Sequence, residues 1–472
     1  MRVRNPRSGE LDYEIAPLDA ATIDALAKSL RERQAAWSAR EPAARAAVLQ
    51  AFGAAIAHHR DAIAAALTID TGRRAISAIE VDGTIRTLDR WARLAPDLIG
   101  RAQASPRASA TPGVVVSTRL VPYQLVGVIS PWNFPLTLAL IDAIPALAAG
   151  CAAIVKPSEV TPRFIRPLRA ALEMVPDLPL ALIEGDGPGG AALVGTVDYV
   201  AFTGSVATGR KVAAAAAAAF IPASLELGGK DPLIATASAD PAWAAGVALR
   251  ASIVNTGQAC QSIERVYVAR EIAAAFLDAL VAQANAVRLN ADDIGAGEIG
   301  PFIFARQAEI VQEQIDEAVA RGATLLAGGL VETLRGGLYL RPTVLADVTP
   351  DMALMRDETF GPVIPVTIFD TLDEAVALAN GGEFGLSAAV LAGTPEEAEA
   401  VAVRLHAGAV SINDGSLTAM VWDAEKSSFG ASGLGPSRMG DSGLLRFLRK
   451  QALLRQTGTA LPIAAYAEDA AR

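Results

Sequence analysis

Cys260 stands out among the residues of this chain that are able to do covalent chemistry. It lies in the stretch NTGQACQSIERV and is one of only 2 cysteines in 472 residues. A structural cysteine is normally a small buried hydrophobe among apolar residues, and Cys151, within AGCAAIV, fits that description. Cys260 has small and polar neighbours instead. It is therefore a candidate nucleophile, which would attack carbon as a thiolate and would need a base and an acceptor for the electrons that follow.

Two other polar residues are suited to support such a nucleophile. Asn133 lies between two prolines in SPWNFP, and the stiff backbone fixes where its amide points, as a donor to a developing oxyanion requires. Glu226, between two leucines at the end of a predicted strand, is suited to act as a general base. The plainer interpretations are an Asx turn for Asn133 and a water-facing edge-strand glutamate for Glu226. A cysteine–histidine protease is the weaker hypothesis, because the chain has only 3 histidines and none near Cys260.

Two further segments are suited to hold a phosphate and a sugar. In FTGSVATG, Gly204 lets the backbone turn after a strand and Ser205 opens a helix, so free N–H groups and the positive end of the helix dipole face outward. A plain N-cap would give the same pattern. Lys156 and Glu159, in VKPSE, could hold sugar hydroxyls, although a solvated charged pair is the commoner case. The GDGPGG at residues 185–190 has dinucleotide-fingerprint spacing but lacks the acidic residue expected about 20 positions later, so a glycine-rich turn is favoured.

The hydrophobic spacing predicts the elements that position these residues. Helical spacing from about residue 19 to 98 predicts two or three helices, and residues 101–119 read as a loop or as a strand arm that leaves the domain. Beyond residue 123, apolar runs alternate with amphipathic segments in two blocks, which is typical of parallel sheets wound with helices. We therefore expect an α/β fold with the active site in a cleft between two domains. The predicted strands are 125–129, 152–155, 180–183, 199–202 and 224–227, then 265–268, 343–345, 363–368, 388–391 and 409–412; the predicted helices of the second block are 305–320, 372–379 and 395–405.

The composition limits the classes of partner and compartment. A net charge of −10 argues against nucleic acid or an anionic membrane surface as the main partner. Two cysteines cannot form a disulfide framework, and with three histidines in no zinc spacing we expect no metal site. The longest apolar stretch, 134–155, is interrupted by Asp142, Pro145 and Gly150 and predicts a core helix and a strand. We expect a cytoplasmic protein.

Taken in order, the motifs resemble those of the NAD(P)-dependent aldehyde dehydrogenases. The likeness extends almost from end to end of the chain, and the landmarks are PWNFP at 131–135, KPSE at 156–159, FTGS at 202–205, ELGGK at 226–230, GQAC at 257–260 and ETFGP at 358–362. The resemblance implies a Rossmann-type dinucleotide-binding domain, an α/β catalytic domain and a small oligomerisation arm. It places the first domain at 1–104 and 123–228, the catalytic domain at 229–448, and the arm and C-terminal tail at 105–122 and 449–472. It also implies a homodimer or homotetramer.

The resemblance assigns roles to individual residues. Cys260 would form a thiohemiacetal and then a thioester, Asn133 with the backbone N–H of Cys260 would form the oxyanion hole, and Glu226 would activate the hydrolytic water. The cofactor would be NAD, with NADP possible. The residues implied to bind it are Lys156 and Glu159 at the adenine-side ribose, Ser130, Trp132, Gly204 and Ser205 near the pyrophosphate, and Glu358 with Phe360 at the nicotinamide ribose.

The chain departs from the family pattern near its C-terminus. The usual Gly-Gly-x-Lys-x-Ser-Gly is Ala424–Gly430, AEKSSFG, in this sequence, and this stretch borders the substrate tunnel in relatives. One alternative is a CoA-acylating enzyme, which Glu226 disfavours because such enzymes generally lack the deacylating glutamate. Another is a catalytically silent binding protein of the same fold, which the intact Cys260, Glu226 and Asn133 disfavour.

Motif alignment predicts an apolar substrate tunnel. The expected lining is Phe134, Leu138, Ile141, Ala259, Gln261 and Trp422. Residues 134, 138 and 141 share one helix face, although core packing would give the same spacing. No arginine is evident in this set, and Arg265, the nearest candidate anchor, is common across the family. We therefore expect aliphatic or aromatic aldehydes as substrates, with a carboxylate-bearing semialdehyde as the alternative because a buried charge needs a cationic partner.

Overall fold

The N-terminal region is helical, as its spacing predicts, but it forms four helices where two or three were expected. The computed structural model describes residues 1–468. Asp19 caps the first helix by accepting a hydrogen bond from the backbone N–H of Thr22 at 2.7 Å, and Gly72, with φ 66°, ends the third. Both are ordinary helix-boundary chemistry. The helices are Ala20–Ser38, Pro42–His58, Arg60–Thr71 and Arg74–Ala102.

A six-stranded sheet holds the first block of predicted strands. Its strands run parallel except Gly433–Leu434, which pairs antiparallel with Ala223–Glu226 at one edge. The chain thus returns to this sheet from within the segment 229–448 that was assigned to the second domain. In order across the sheet the strands are Gly433–Leu434, Ala223–Glu226, Tyr199–Thr203, Leu125–Ile129, Ala152–Lys156 and Leu180–Leu182.

Both faces of the six-stranded sheet are covered. Val126 and Val128 pack in a core with the helices Pro42–His58 and Arg74–Ala102, whereas Leu125 and its neighbours on the opposite face pack against helix Ala20–Ser38. Burial on both faces explains why these strands are continuous apolar runs. The other helices of this half are Pro135–Leu140, Ala143–Ala149, Ile165–Glu173, Gly187–Val194 and Val206–Ala218.

A seven-stranded sheet holds the second block. All of its pairings are parallel except that of the edge strand Thr324–Ala327. The strand Asp231–Ala235 was not predicted, and it lies between Ile263–Ala269 and Ser387–Leu391. Its sequence DPLIA opens with two residues that rarely occur inside strands. In order the strands are Thr324–Ala327, Thr343–Ala346, Val363–Phe369, Ile263–Ala269, Asp231–Ala235, Ser387–Leu391 and Ala409–Ile412.

The remaining elements are mostly short. The helices of the second half are Pro241–Ile253, Arg270–Ala286, Ala305–Ala320, Ala353–Arg356, Leu372–Ala379, Pro395–Ala402, Leu417–Met420 and Ser442–Leu445, with 3₁₀ turns at Val254–Gly257 and Ile463–Tyr466. The small strand pairs are Arg2–Arg4 with Leu11–Glu14, Val331–Leu334 with Gly337–Leu340, and Phe384–Gly385 with Phe429–Gly430. Among residues 1–468 no helix is both long and apolar enough to cross a membrane.

The segment that read as a loop or a strand arm is a strand arm. Val114–Pro122 pairs antiparallel along its whole length with Leu448–Gln456, and the short strand Arg107–Ala108 pairs with its other edge. Leu453 is 49% and Leu454 71% exposed. The arm therefore presents exposed apolar side chains.

Candidate active site

The loop that carries Cys260 has an unusual backbone. It follows helix Pro241–Ile253, and three successive residues lie in the left-handed region, Asn255 at φ 54°, Thr256 at 62° and Gly257 at 70°. A Cβ on Gly257 would lie 2.2 Å from the carbonyl of Gly361. This close approach explains why glycine precedes QAC, and it fixes the loop against the ETFGP segment.

Hydrogen bonds tie this loop to Asn133. The Asn133 side chain donates through Nδ2 to the carbonyl of Gln258 at 3.0 Å, and Asn255 Nδ2 donates to the carbonyl of Asn133 at 2.9 Å. Gln258 is itself held, because its Oε1 accepts from the backbone N–H of Ile303 at 2.9 Å. One hydrogen of the Asn133 amide therefore has an acceptor in the loop, and the second is available to another acceptor.

Glu80 holds the helix that follows Asn133, a role that the sequence did not reveal. Its Oε2 accepts from the backbone N–H of Thr137, in the first turn of Pro135–Leu140, at 3.0 Å. Burial raises the pKa of Glu80 to about 8, although hydrogen bonds from Thr137 and Leu136 oppose the rise. In the sequence, the only signal would have been that Glu80 lies on the face of helix Arg74–Ala102 that carries its apolar residues.

The surroundings of the Cys260 thiol favour its protonated form. The residue is half-buried, and desolvation, with a smaller effect of the Glu358 carboxylate, raises its pKa to about 12. The positive charges of Lys426 and Arg438 act in the opposite direction. Because desolvation outweighs these positive charges, Cys260 is a thiol in the resting state.

Glu226 lies at the end of its predicted strand, but its side chain has polar neighbours. The flanking leucines point into the sheet core, whereas the carboxylate accepts a hydrogen bond from Ser428 Oγ at 3.1 Å and lies 3.8 Å from Arg438 Nε. Its side chain is 17% exposed. Glu226 is therefore neither in an apolar setting nor fully water-facing.

The divergent segment contributes a lysine to this centre. Lys426 is half-buried, and its Nζ donates only a long hydrogen bond, 3.4 Å, to the carbonyl of Thr418. Burial lowers its pKa, while the negative charges of Glu226, Cys260 and Asp231 oppose that change. Lys426 thus places a positive charge close to both the candidate nucleophile and the candidate base.

One cavity of about 710 Å³ joins these groups. Its wall includes Cys260, Asn133 and Glu226, and further apolar wall comes from residues such as Ile79, Ile144 and Met420. The six residues expected to line a substrate tunnel all lie in this wall, and they are Phe134, Leu138, Ile141, Ala259, Gln261 and Trp422.

The expectation that the tunnel has no arginine is wrong. Arg86, Arg90, Arg250 and Arg438 all line the cavity. They were missed because none of them belongs to a motif, and Arg86 and Arg90 lie on helix Arg74–Ala102, far from the motifs in sequence. Arg265 is not part of the wall, since its buried guanidinium donates to the carbonyls of Lys230, Ala379 and Gly381 instead.

A second group of predicted residues meets at the carboxyl edge of the six-stranded sheet. Ile129 pairs with both Lys156 and Phe202, so the three strands end side by side. Lys156 is buried, and its Nζ lies 2.9 Å from the carbonyl of Gly185 and 3.5 Å from Glu159 Oε2. Burial lowers the pKa of Lys156, and Glu159 acts against that effect.

The same edge offers groups without protein partners. Ser130 is buried, and its Oγ has no hydrogen-bond partner among the described residues. Ser205 caps helix Val206–Ala218, accepting from the backbone N–H of Thr208 at 3.3 Å, and is exposed. Gly204 donates its N–H to the carbonyl of Glu226 at 3.1 Å. An open helix N-terminus beside an orphaned hydroxyl suits an anionic group.

The ETFGP segment closes the far side. Glu358 accepts from the backbone N–H of Gly229 at 3.2 Å, and burial, with the nearby Glu264 charge, raises its pKa to about 8. Phe360 has φ 55°, and its ring lies 5.4 Å from that of Trp132 in a T-shaped pair.

Two buried charges that the sequence analysis did not assign hold this segment in place. Glu264 accepts from the backbone N–H groups of Thr359 and Phe360 at 2.8 and 2.7 Å, and from Lys230 Nζ at 2.8 Å. Lys230 also donates to Thr359 Oγ1 at 2.8 Å. Lys230 belongs to the ELGGK motif, so the motif was recognised but this contact was not.

The fold and the motifs now permit comparison with known proteins. Residues 1–453 match the aldehyde dehydrogenase family. This chain belongs to that family. A "Putative succinate-semialdehyde dehydrogenase [NADP(+)]" from Mycolicibacterium smegmatis is 36% identical over 452 residues, which is 93% of this chain and 86% of that protein.

Solved structures agree with this assignment. The "Putative Aldehyde Dehydrogenase PutA" from Anabaena variabilis has a TM-score of 0.95 and 48% identity, and the match covers 98% of this chain and 99% of the other. A betaine aldehyde dehydrogenase from Staphylococcus aureus in complex with NAD+ has a TM-score of 0.91 and 30% identity, covering 99% and 94%. The predictions of the family, of the mixed α/β fold and of aldehyde oxidation with NAD(P) are confirmed.

In this aldehyde dehydrogenase the predicted residues form two adjoining groups. Cys260, Asn133 and Glu226 share the cavity, and the residues predicted for the cofactor lie at the sheet edge and the ETFGP segment next to it. The glycine-rich turn at 185–190 is also at this edge. Its Gly185 carbonyl binds Lys156, and Asp186 caps Gly187–Val194.

Proposed function

We propose that this aldehyde dehydrogenase oxidises its substrate through covalent catalysis at Cys260 and releases a carboxylic acid. The observation that carries the proposal is that Cys260, Asn133 and Glu226 line one cavity although they lie far apart in sequence. Cys260 releases its thiol proton to water, and attack of the sulfur on the aldehyde carbon forms a thiohemiacetal alkoxide. Loss of hydride from that carbon leaves a thioester.

Asn133 and the backbone N–H of Cys260 supply the oxyanion hole in this proposal. Asn133 is held from both sides by the loop of Cys260, so its free amide hydrogen is fixed in direction. The Cys260 N–H has no acceptor among the described residues. Two fixed donors stabilise the developing alkoxide without reorganisation during the reaction.

Glu226 acts as the base that releases the acid. Its carboxylate takes a proton from water, the oxygen attacks the thioester carbon, and the carbon–sulfur bond breaks to return the Cys260 thiolate. The presence of this carboxylate in the cavity wall favours hydrolysis over transfer to CoA.

The cofactor residues fit a dinucleotide. The orphaned Ser130 hydroxyl and the open N-terminus of Val206–Ala218 suit a pyrophosphate, and the Lys156–Glu159 pair suits ribose hydroxyls. When bound, NAD(P) accepts the hydride. Glu358 and Phe360 would hold its nicotinamide side, and Trp132, whose ring contacts that of Phe360, would lie near the pyrophosphate.

NAD is the preferred form in this proposal. Glu159 accepts hydrogen bonds from free ribose hydroxyls, whereas a 2′-phosphate would bring a second negative charge beside it. Lys156, 3.5 Å from Glu159, reduces the difference without removing it.

The preferred substrates are aliphatic or aromatic aldehydes of medium length. The wall near Cys260 is built from Phe134, Leu138, Ile141 and Trp422, which bind apolar chains. Arg250 does not contradict this assignment, because it is exposed and bound to Asp414 at 2.7 Å.

Arg86 supports a second candidate, a semialdehyde that carries a carboxylate. It is exposed and lines the cavity wall, and no carboxylate in residues 1–468 forms an ion pair with it. Asp82, on the same helix, is bound to Arg60 at 2.8 Å instead. The relative from M. smegmatis is named for such a substrate.

Steady-state kinetics with hexanal, benzaldehyde and succinic semialdehyde separates the two candidates. We expect kcat/KM to favour hexanal or benzaldehyde by about tenfold, or ~1.4 kcal/mol in the transition state. Arg86→Gln tests the anchor, with Arg93→Gln as a control on the same helix outside the cavity wall. A preference for succinic semialdehyde that Arg86→Gln removes and Arg93→Gln retains would establish the second candidate.

The strand arm supports a homodimer or homotetramer. Exposed apolar residues such as Leu454 and the free edge of Leu448–Gln456 offer a sheet edge to another copy. A monomeric mass at micromolar concentration would contradict this inference. Composition further supports a cytoplasmic location, with a small aldehyde and no nucleic acid or membrane as partners.

A further inference from the structure

Two buried arginines share one carboxylate behind the candidate base. Arg438 donates to Asp142 Oδ2 at 2.9 Å and to Thr203 Oγ1 at 2.6 Å, and Arg446 donates to the other oxygen of Asp142. Asp142 is fully buried, and Arg438 and Arg446 are 8% and 9% exposed. Burial alone would raise the pKa of Asp142, but the two guanidinium groups outweigh it and hold the pKa below its usual value.

This cluster is not neutral by itself. Two guanidinium groups face one carboxylate, which leaves an excess of one positive charge in a buried region, where an unpaired charge is costly. The next carboxylate in reach is Glu226, whose Oε1 lies 3.8 Å from Arg438 Nε. The Glu226 carboxylate is therefore a second counter-charge for the arginine pair, although Lys426 adds a further positive charge beside it.

The contact between Arg438 and Glu226 is close but incomplete. Arg438 Nε is buried and has no hydrogen-bond partner among the described residues. Glu226 meanwhile accepts a hydrogen bond from Ser428 Oγ through its other oxygen. A small rotation of the Glu226 side chain would bring Oε1 within hydrogen-bond distance of the Nε–H group.

We propose that Arg438 is the positioning residue for Glu226, holding its carboxylate close to the cavity between turnovers. The proposal rests on the assignment of Glu226 as the deacylating base. Neutral Glu226, which forms when it takes the proton of the attacking water, leaves Arg438 without its counter-charge.

Arg446 provides a matched control, because it binds the same Asp142 carboxylate but does not contact Glu226. The experiment compares Arg438→Gln with Arg446→Gln by stopped-flow measurement of NADH from hexanal and NAD. For Arg438→Gln we expect a burst of about one NADH per active site, followed by a steady state at least about tenfold slower than in the wild type. For Arg446→Gln we expect the wild-type ratio of burst rate to steady-state rate.

Lysine variants, which keep the positive charge, test the proposal in case the glutamine variants do not fold. Arg438→Lys keeps the positive charge but lacks Nε–H, and Arg446→Lys is its control. We expect the ratio of burst rate to steady-state rate to rise about threefold or more in Arg438→Lys only, and less than in Arg438→Gln. Thermal melting of each variant with and without NAD reports its folding.

Different outcomes would overturn the positioning role and the proposed function. Equal ratios in the Arg438 and Arg446 variants, or a wild-type ratio in Arg438→Gln, would overturn the positioning role. A wild-type enzyme without aldehyde oxidation, or Glu226→Gln without a burst, would instead overturn the proposed function.

Discussion

The cofactor edge and the catalytic centre adjoin each other but are built in different ways. At the cofactor edge, Ser130, Lys156 and Gly204 follow three neighbouring parallel strands, so their positions depend on where the strands end. In the catalytic centre, Cys260 and Glu226 depend on partners that are far away in sequence. One region can be deduced from local motifs, and the other requires the tertiary packing.

The two regions also balance charge differently. Lys156 is paired locally with Glu159, three residues later, and donates a hydrogen bond to the carbonyl of Gly185. Around Glu226 the compensating charges come from Lys426 and Arg438, in the C-terminal segment. Substitutions at the cofactor edge should therefore change cofactor binding, whereas those in the catalytic centre should change single chemical steps.

The largest effect should come from Cys260→Ala. Aldehyde oxidation should be abolished because no covalent intermediate forms, while NAD binding should remain at wild-type affinity because other residues hold it. Steady-state NADH production and calorimetric titration with NAD measure the two properties. Activity above a small fraction of wild type would contradict covalent catalysis at this residue, and Cys151→Ala is the control.

Glu226→Gln should separate the chemical steps within the catalytic centre. Acylation and hydride transfer continue, but the thioester accumulates because water has lost its base. We expect a burst of about one NADH per active site and a steady state reduced by a factor of about 100 or more. A uniform decrease without a burst would assign the base to another group.

Glu159→Gln should act on cofactor choice alone. The wild type should have a higher kcat/KM for NAD than for NADP, and removing the negative charge should reduce that preference by a few-fold, since a 36% exposed side chain is partly screened by solvent. The exposed Glu173, on a nearby helix, provides the control variant Glu173→Gln. Equal kcat/KM for both cofactors in the wild type would refute the preference.

A further prediction concerns the pH dependence of Cys260 in the cofactor-free enzyme. Its pKa is raised to about 12 by desolvation and by Glu358, so the reactive thiolate should increase with pH. Alkylation by iodoacetamide should accelerate by up to about tenfold per pH unit from pH 7 to 10 without a plateau. A plateau near pH 8 would indicate a thiolate already formed, and Cys260→Ser should remove the reaction because Cys151 is fully buried.

Most strands of both sheets could be predicted because buried parallel strands are short apolar runs bounded by turns. The antiparallel edge strands Thr324–Ala327 and Gly433–Leu434 were not predicted. The helices 305–320 and 372–379 were also found with the observed bounds. Asp231–Ala235 was missed because an aspartate and a proline open it, and its place depends on pairing with Ile263–Ala269 and Ser387–Leu391. Pairing of that kind leaves no local signal.

The sequence by itself determined the nucleophile candidate, the order of the motifs and the alternation that gives two α/β blocks, because each depends on a few consecutive residues. The tertiary structure decided which charges surround Glu226 and which arginines line the cavity. Asp142 and Arg438 are 296 residues apart, and their contact exists only because the C-terminal segment folds back onto the first sheet. Electrostatic partnerships act over a few ångströms in space, and the spacing of residues along the chain does not fix that distance.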